Sequence, residues 1–178
     1  MPPTTGRSDA AARVLGGEGP VGTDDGSIFL TPGAGRRIAL PDRGASATLK
    51  IVGSDTDGRL AVVESAPAPG APGLAMHRHR RSDETLYVLE GTVTVRVGAR
   101  TVSAPAGSFV FVPRETGHMF WNPGPGPARV LVLFAPAGVE RFLEETAAAF
   151  AAAQGSPDPA TLREIRTTYD TELMHDPT

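Results

Sequence analysis

The sequence predicts an all-β fold, a sandwich or barrel of short strands, carrying one or two C-terminal α-helices. Three observations lead there. From Ser27 to Phe134, short apolar or alternating runs recur at roughly regular spacing. Turn-forming stretches rich in Gly and Pro, "SDTDG", "APAPGAPG" and "NPGPGPA", separate them. After Phe134 the apolar spacing changes from strand-like to helical.

Residues 1–26 are rich in Gly, Thr, Asp and Pro and poor in apolar side chains, so they are expected to form a flexible arm, with "RSDAAARVL" able to make one short helix. Residues 27–136 then supply the strands "SIFL", "RRIAL", "SATLKIV", "GRLAVVES", "ETLYVLEG", "TVTVRVG", "GSFVFVP", "HMFWN" and "ARVLVLF". "TVTVRV" alternates with period two, as a half-buried strand does, whereas "FVFV" is apolar on both faces and is expected to be fully buried. Residues 137–178 form a helical extension. In "GVERFLEETAAAFAAAQ", Val139, Phe142, Leu143 and Phe150 share a helix face, with Glu140, Arg141 and Glu144 largely off it. Asp158 as N-cap and Pro159 as first helical residue start a second helix, on which Leu162, Ile165 and Tyr169 share a face. These faces either pack on the outside of the β body, the reading with more weight, or close a pocket mouth.

A chain of 178 residues, with 40% hydrophobic and 21% charged residues, suits one domain with one core. The formal net charge of -3 and the absence of Lys/Arg runs argue against nucleic acid and membrane surfaces as partners. No Cys is present, so disulfides and thiolate metal sites are excluded, and any metal must be held by nitrogen and oxygen. No signal peptide or apolar span of ~20 residues is visible, and the expected compartment is the cytoplasm.

Two of the four histidines stand one residue apart in "MHRHRRSDETLYVLEG". Strand alternation points His77 and His79 to one face and Arg78 to the other, the arrangement two ligands of one metal need. Glu84 opens the next strand on the face of Leu86 and Val88, and an antiparallel return would bring its carboxylate back to the histidines. Asp83 is the rival carboxylate but suits a turn better. His118 starts a strand and shares a face with Phe120 and Asn122. Phe120 is a candidate aromatic wall for a planar substrate, or ordinary packing. His175, in the polar tail, reads as solvated. Arg78, Arg80 and Arg81 read as a solvated loop rather than as holders of an acidic substrate.

At these residues the chain resembles the cupin superfamily. His77, His79, Glu84 and Gly91 match the first cupin motif in spacing; Gly107, Pro113, His118 and Asn122 match the second. Two positions depart: Ala71 stands where the first motif opens with Gly, and Glu115 stands at the Gly after Pro113, with Gly117 left to supply the unusual backbone angles. The resemblance covers roughly residues 27–136. It implies a double-stranded β-helix, or jelly roll, with His77, His79, Glu84 and His118 binding one divalent transition metal: Fe, Mn, Ni or Co, with Zn tolerable. Leu86, Val88 and Phe120 are then expected to line a substrate pocket.

The single-domain layout resembles bacterial quercetin 2,3-dioxygenase-like cupins. That resemblance implies a flavonol-like substrate, Glu84 as proton acceptor, and dioxygen as cosubstrate cleaving the heterocycle. The alternatives are a non-oxidative isomerase, cyclase or decarboxylase, or a binding protein without turnover. A homodimer is also implied, with "RRIAL" or "SIFL" as candidate edges.

Overall fold

Alternating side-chain direction gives each strand one face to bury, and this chain buries those faces by stacking two antiparallel sheets. The structure, a computed structural model, describes residues 21–22, 26–153 and 155–174. The helix expected in "RSDAAARVL" and His175 lie outside those residues, as does most of the arm.

The strands are β1 (Val21–Gly22), β2 (Ile28–Phe29), β3 (Arg36–Leu40), β4 (Ala45–Ile51), β5 (Ala61–Pro67), β6 (His77–Arg78) and β7 (Asp83–Glu90). They continue as β8 (Thr92–Val97), β9 (Arg100–Pro105), β10 (Phe109–Val112), β11 (His118–Trp121), β12 (Arg129–Ala135) and β13 (Glu172–Leu173). Helices α1 (Val139–Ala153) and α2 (Pro159–Thr168) lie between the last two strands. One sheet has the order β10-β7-β12-β5-β4-β3, the other β13-β6-β11-β8-β9, and β1-β2 form a separate ribbon. This is the jelly-roll double-stranded β-helix.

Register explains the burial. Leu86 faces Val110 across one neighbour and Val132 across the other, and all three side chains turn inward, with Leu86 fully buried. Val93 and Val95 close the core from the opposite sheet. Burying each such side chain stabilises the fold by about 1.5–3 kcal/mol.

Three expectations need correction. "FVFV" is not buried on both faces: β10 is an edge strand, and its outward Phe109 and Phe111 are 67% and 55% exposed. "SIFL" does not join the barrel, because among the described residues Ile28–Phe29 pairs only with Val21–Gly22. β9 was not foreseen, since "RTVSAP" has little apolar signal; pairing with β8 along its whole length makes it a strand.

α1 lays Val139, Phe142 and Leu143 onto the β body. Glu140, expected off that face, is 2% exposed. Its Oε1 accepts from the Gly53 backbone N–H at 3.0 Å and its Oε2 from that of Gly138 at 2.6 Å. α2 begins as expected, with the Asp158 side chain accepting from the Ala160 N–H at 2.8 Å and Pro159 in the first turn. Among the described residues, no helix is long and apolar enough to cross a membrane.

Candidate metal centre

The centre sits between the two sheets. His118 on β11 is the register partner of His77 on β6, which sets their rings side by side at 4.4 Å between centroids. His79 follows two residues after His77, its ring 5.1 Å from that of His77 and 5.4 Å from that of His118. Glu84 comes from the other sheet. β6 and β7 do not pair, so the stretch "RRSD" carries the chain from one sheet to the other rather than around a hairpin. Its carboxylate Oε2 lies 3.1 Å from His79 Nε2 and 2.9 Å from His118 Nε2. All four side chains are buried, and one ligand atom from each lies within 4.8 Å of the others.

Each imidazole is oriented from behind. His77 Nδ1 is 2.9 Å from the Ala75 carbonyl, His118 Nδ1 is 2.9 Å from the Thr116 carbonyl, and His79 Nδ1 is 3.0 Å from the Asp170 carbonyl. A carbonyl only accepts, so each Nδ1 carries the proton and each neutral ring turns an Nε2 lone pair inward. Three lone pairs and a carboxylate then converge with no donor among them. A cation satisfies that set, and the site fits a divalent metal held by nitrogen and oxygen.

The electrostatics agree at His77 and Glu84. Burial, then repulsion from His118 and His79, pushes the His77 imidazole well below its usual range, so it stays neutral and able to ligate. Burial opposes ionisation of Glu84, but His118 and His79 outweigh it and hold the carboxyl well below the usual range. Burial also opposes charge on His118, and Glu84 outweighs it, raising that imidazole.

Asp83, the rival carboxylate, is neither ligand nor turn residue. It opens β7 facing outward, where it accepts from the Arg114 backbone N–H at 2.9 Å and from Arg114 Nε and Nη2 at 3.1 and 2.9 Å. The arginines of "HRHRR" are not a free solvated loop either. Arg78 Nε and Arg80 Nη2 donate to Glu172 at 3.0 and 2.7 Å, and the Arg80 and Arg81 backbone N–H groups donate to the Asp170 carboxylate at 3.2 and 2.8 Å. They fasten the chain's last described segment, where β13 pairs with β6, behind the centre.

The two motif departures are absorbed locally. Glu115 itself takes the left-handed conformation, φ 65°, in place of the missing glycine, and Gly117 does not. The Glu115 N–H donates to the His79 carbonyl at 2.6 Å. Ala71 is buried against Gly44. Gly91 has φ 73°, and an added Cβ would sit 2.3 Å from the Pro127 carbonyl oxygen, so only glycine fits there. Asn122, 1% exposed, donates to the Gly126 carbonyl at 2.9 Å and accepts from the Gly124 N–H at 3.0 Å, holding the loop after β11. Gly107 makes the turn before β10, with φ 88°, and Pro113 follows that strand on the surface.

A cavity opens beside the centre, with about 60 Å³ accessible to the centres of water molecules, enough for a few waters. His77, His79 and Glu84 form one wall, and Phe120 borders it. Leu86 and Val88 do not: they share Glu84's face but lie progressively farther along β7, about 7 Å per two residues, inside the packed core. The sequence reading missed Arg43, Ser65, Val132 and Phe134, which border the cavity from distant strands and loops. Val139, Phe142 and Leu143 of α1 also border it, so the helix both packs on the barrel and covers the site.

Comparison with known proteins agrees with this geometry. Residues 64–134 match the family described as Cupin domain. The tetracenomycin polyketide synthase protein TcmJ of Streptomyces glaucescens is 36% identical over 81 residues, 46% of this chain and 52% of that protein. The quercetin 2,3-dioxygenase of Bacillus subtilis is 31% identical over 100 residues, 54% of this chain and 28% of that enzyme. The chain thus spans only about half of the first relative and less of the second. An RmlC-like cupin from Shewanella frigidimarina superposes with a TM-score of 0.52 at 24% identity, over 61% of this chain and 90% of that one, a likeness of fold. With its motif residues and jelly roll in place, the stretch 64–134 matches a cupin domain, and the chain resembles small quercetinase-like cupins.

Proposed function

We propose that this chain is a metal-dependent cupin enzyme acting on an enolisable aromatic compound of flavonol type, with His77, His79, Glu84 and His118 as metal ligands and Glu84 as proton acceptor. The observation that carries it is the inward convergence of three Nε2 lone pairs, each fixed by an Nδ1–H bond, on one buried carboxylate. The candidate ions are Fe, Mn, Ni and Co, with Zn a further fit; once bound, such an ion supplies Lewis acidity and open positions for substrate oxygens. The protein's own part is to keep the imidazoles neutral, orient them from behind and exclude water with α1. Glu84, held ionised at the edge of the cavity, is placed to take a hydroxyl proton.

The oxygenase form of this reading, with dioxygen as cosubstrate, takes support from the quercetin 2,3-dioxygenase match. A non-oxidative form, acting as a Lewis acid on a polyketide-like enolisable compound, takes support from the match to the polyketide synthase protein TcmJ, which covers more of the relative. Protein reconstituted separately with Fe, Mn, Ni and Co and mixed with quercetin should consume oxygen with at least one ion. His118→Ala should lose both the ion and the uptake. Oxygen uptake absent with every ion would defeat the oxygenase form, and product formed without oxygen would establish the other. No turnover in either condition would leave a binding protein.

We also assign a homodimer. Its supporting surface differs from the edges expected from sequence: Phe109 and Phe111 of β10 and Tyr87 of β7 expose a contiguous apolar strip on the outer face of the larger sheet.

A further inference from the structure

Apart from the metal-centre residues, the cavity wall is almost entirely apolar; its polar exceptions are Ser65 and Arg43. Arg43 lies in the short helical turn Pro41–Arg43 between β3 and β4, outside the residues matched to the cupin motifs. Its side chain is 9% exposed, an unusual depth for a guanidinium. Burying it requires fixed partners. Asp42 receives Nε at 3.2 Å and Nη2 at 2.8 Å, and the guanidinium lies over the Phe142 ring at 5.2 Å. Nη1 has no hydrogen-bond partner among the described residues.

The charge balance of this corner is incomplete. Arg166 of α2 is in electrostatic contact with both Asp42 and Arg43, and its Nε is buried with no hydrogen-bond partner. Asp42 is thus hydrogen-bonded to Arg43 alone, with the Arg166 charge near both. Such a site gains from one more anionic oxygen, and a fork-shaped donor favours a carboxylate or an acidic phenolate.

We propose that Arg43 is the cavity's second binding point, selecting ligands that carry a carboxylate or phenolate oxygen in addition to the oxygen directed at the metal centre. This rests on the metal-centre reading for one end of the ligand and on Arg43 for the other. The apolar walls between, with Phe120, Phe134 and Phe142, take the ligand's aromatic body. Asp42 is a positioning residue that holds the guanidinium in place.

Two probes separate the ends. Benzoate offers one carboxylate, and 3-hydroxyflavone offers a neutral hydroxyketone. In Zn-loaded protein, Arg43→Gln should weaken benzoate binding at least tenfold, about 1.4 kcal/mol, and leave 3-hydroxyflavone binding and zinc content unchanged. Benzoate should still bind His118→Ala, which lacks the ion, while 3-hydroxyflavone should not. Arg43→Lys keeps the charge without the fork and should fall between wild type and Arg43→Gln; it also serves if Arg43→Gln does not fold. Equal benzoate affinity in wild type and Arg43 variants, or no benzoate binding by wild type, overturns the role of Arg43 and leaves the metal reading intact. Loss of 3-hydroxyflavone binding by zinc-loaded wild type counts against the flavonol reading, with the benzoate comparison still deciding Arg43.

Discussion

His79 and Asp170 meet across 91 positions of chain: the imidazole Nδ1–H donates to the Asp170 carbonyl at 3.0 Å. Asp170 can present that carbonyl because its own backbone is left-handed, φ 61°, and because its carboxylate accepts from the N–H groups of Arg80 and Arg81. A candidate ligand and its orienting group are thus tied together twice. The C-terminal segment is part of the metal site's outer support as well as a cover for the barrel.

A chain ending at Thr168 should therefore bind metal about 10–100-fold more weakly, the usual cost of losing an outer partner of a ligating histidine. Glu172→Gln, which loosens only exposed ion pairs with Arg78 and Arg80, should change affinity by less than a few-fold. Chelator competition measures both, with circular dichroism to check the fold.

Glu140 predicts a pure stability effect. Its two oxygens serve different N–H groups, so Glu140→Gln turns an amide NH2 toward one of them and leaves a buried donor unpaired, costing about 1–3 kcal/mol. Urea unfolding should show that loss while the metal content stays unchanged.

Asp83 predicts a response to acid. Hydrogen bonds from the Arg114 side chain and backbone lower its carboxyl to about 2 from a normal 3.8. A depressed folded pKa means that its contribution is present above pH 3.8 and disappears as pH falls toward 2. Asp83→Asn should be less stable than wild type at neutral pH, and the difference should shrink across that window in thermal melts at stepped pH.

The outer strip predicts an association state. Light scattering should give the mass of two chains for wild type and of one for Phe111→Glu, which places a charge amid Phe109 and Tyr87.

What was legible in the sequence follows from how local each determinant is. Period-two alternation gave β8 and the inward faces of β7 and β12, because a strand's side-chain direction depends only on its own residues. Helix capping at Asp158 was equally local. The convergence of four potential ligands was legible through the spacing of His77, His79, Glu84 and His118 rather than through any one of them. Position within a sheet was not legible: "FVFV" looks the same in a central strand as on an edge, and only the partner order shows that its phenyl groups lack cover. Leu86 and Val88 were misplaced because a shared face says nothing of depth along the strand. The cavity's Arg43 and the clamp on Glu172 and Asp170 depend on contacts between distant segments, which no short window of sequence contains.

The three orienting carbonyls differ in when they exist during synthesis. Ala75 and Thr116 each precede the histidine they hold by two residues, and so leave the ribosome with it. Asp170 emerges only after β12 and both helices have been translated. A nascent chain can thus gather all four inward-facing groups while one imidazole still turns freely, and the centre reaches its final rigidity once the segment carrying Asp170 has emerged. Loss of that stretch to a protease would return the centre to its nascent condition, removing only the edge strand β13 from the smaller sheet.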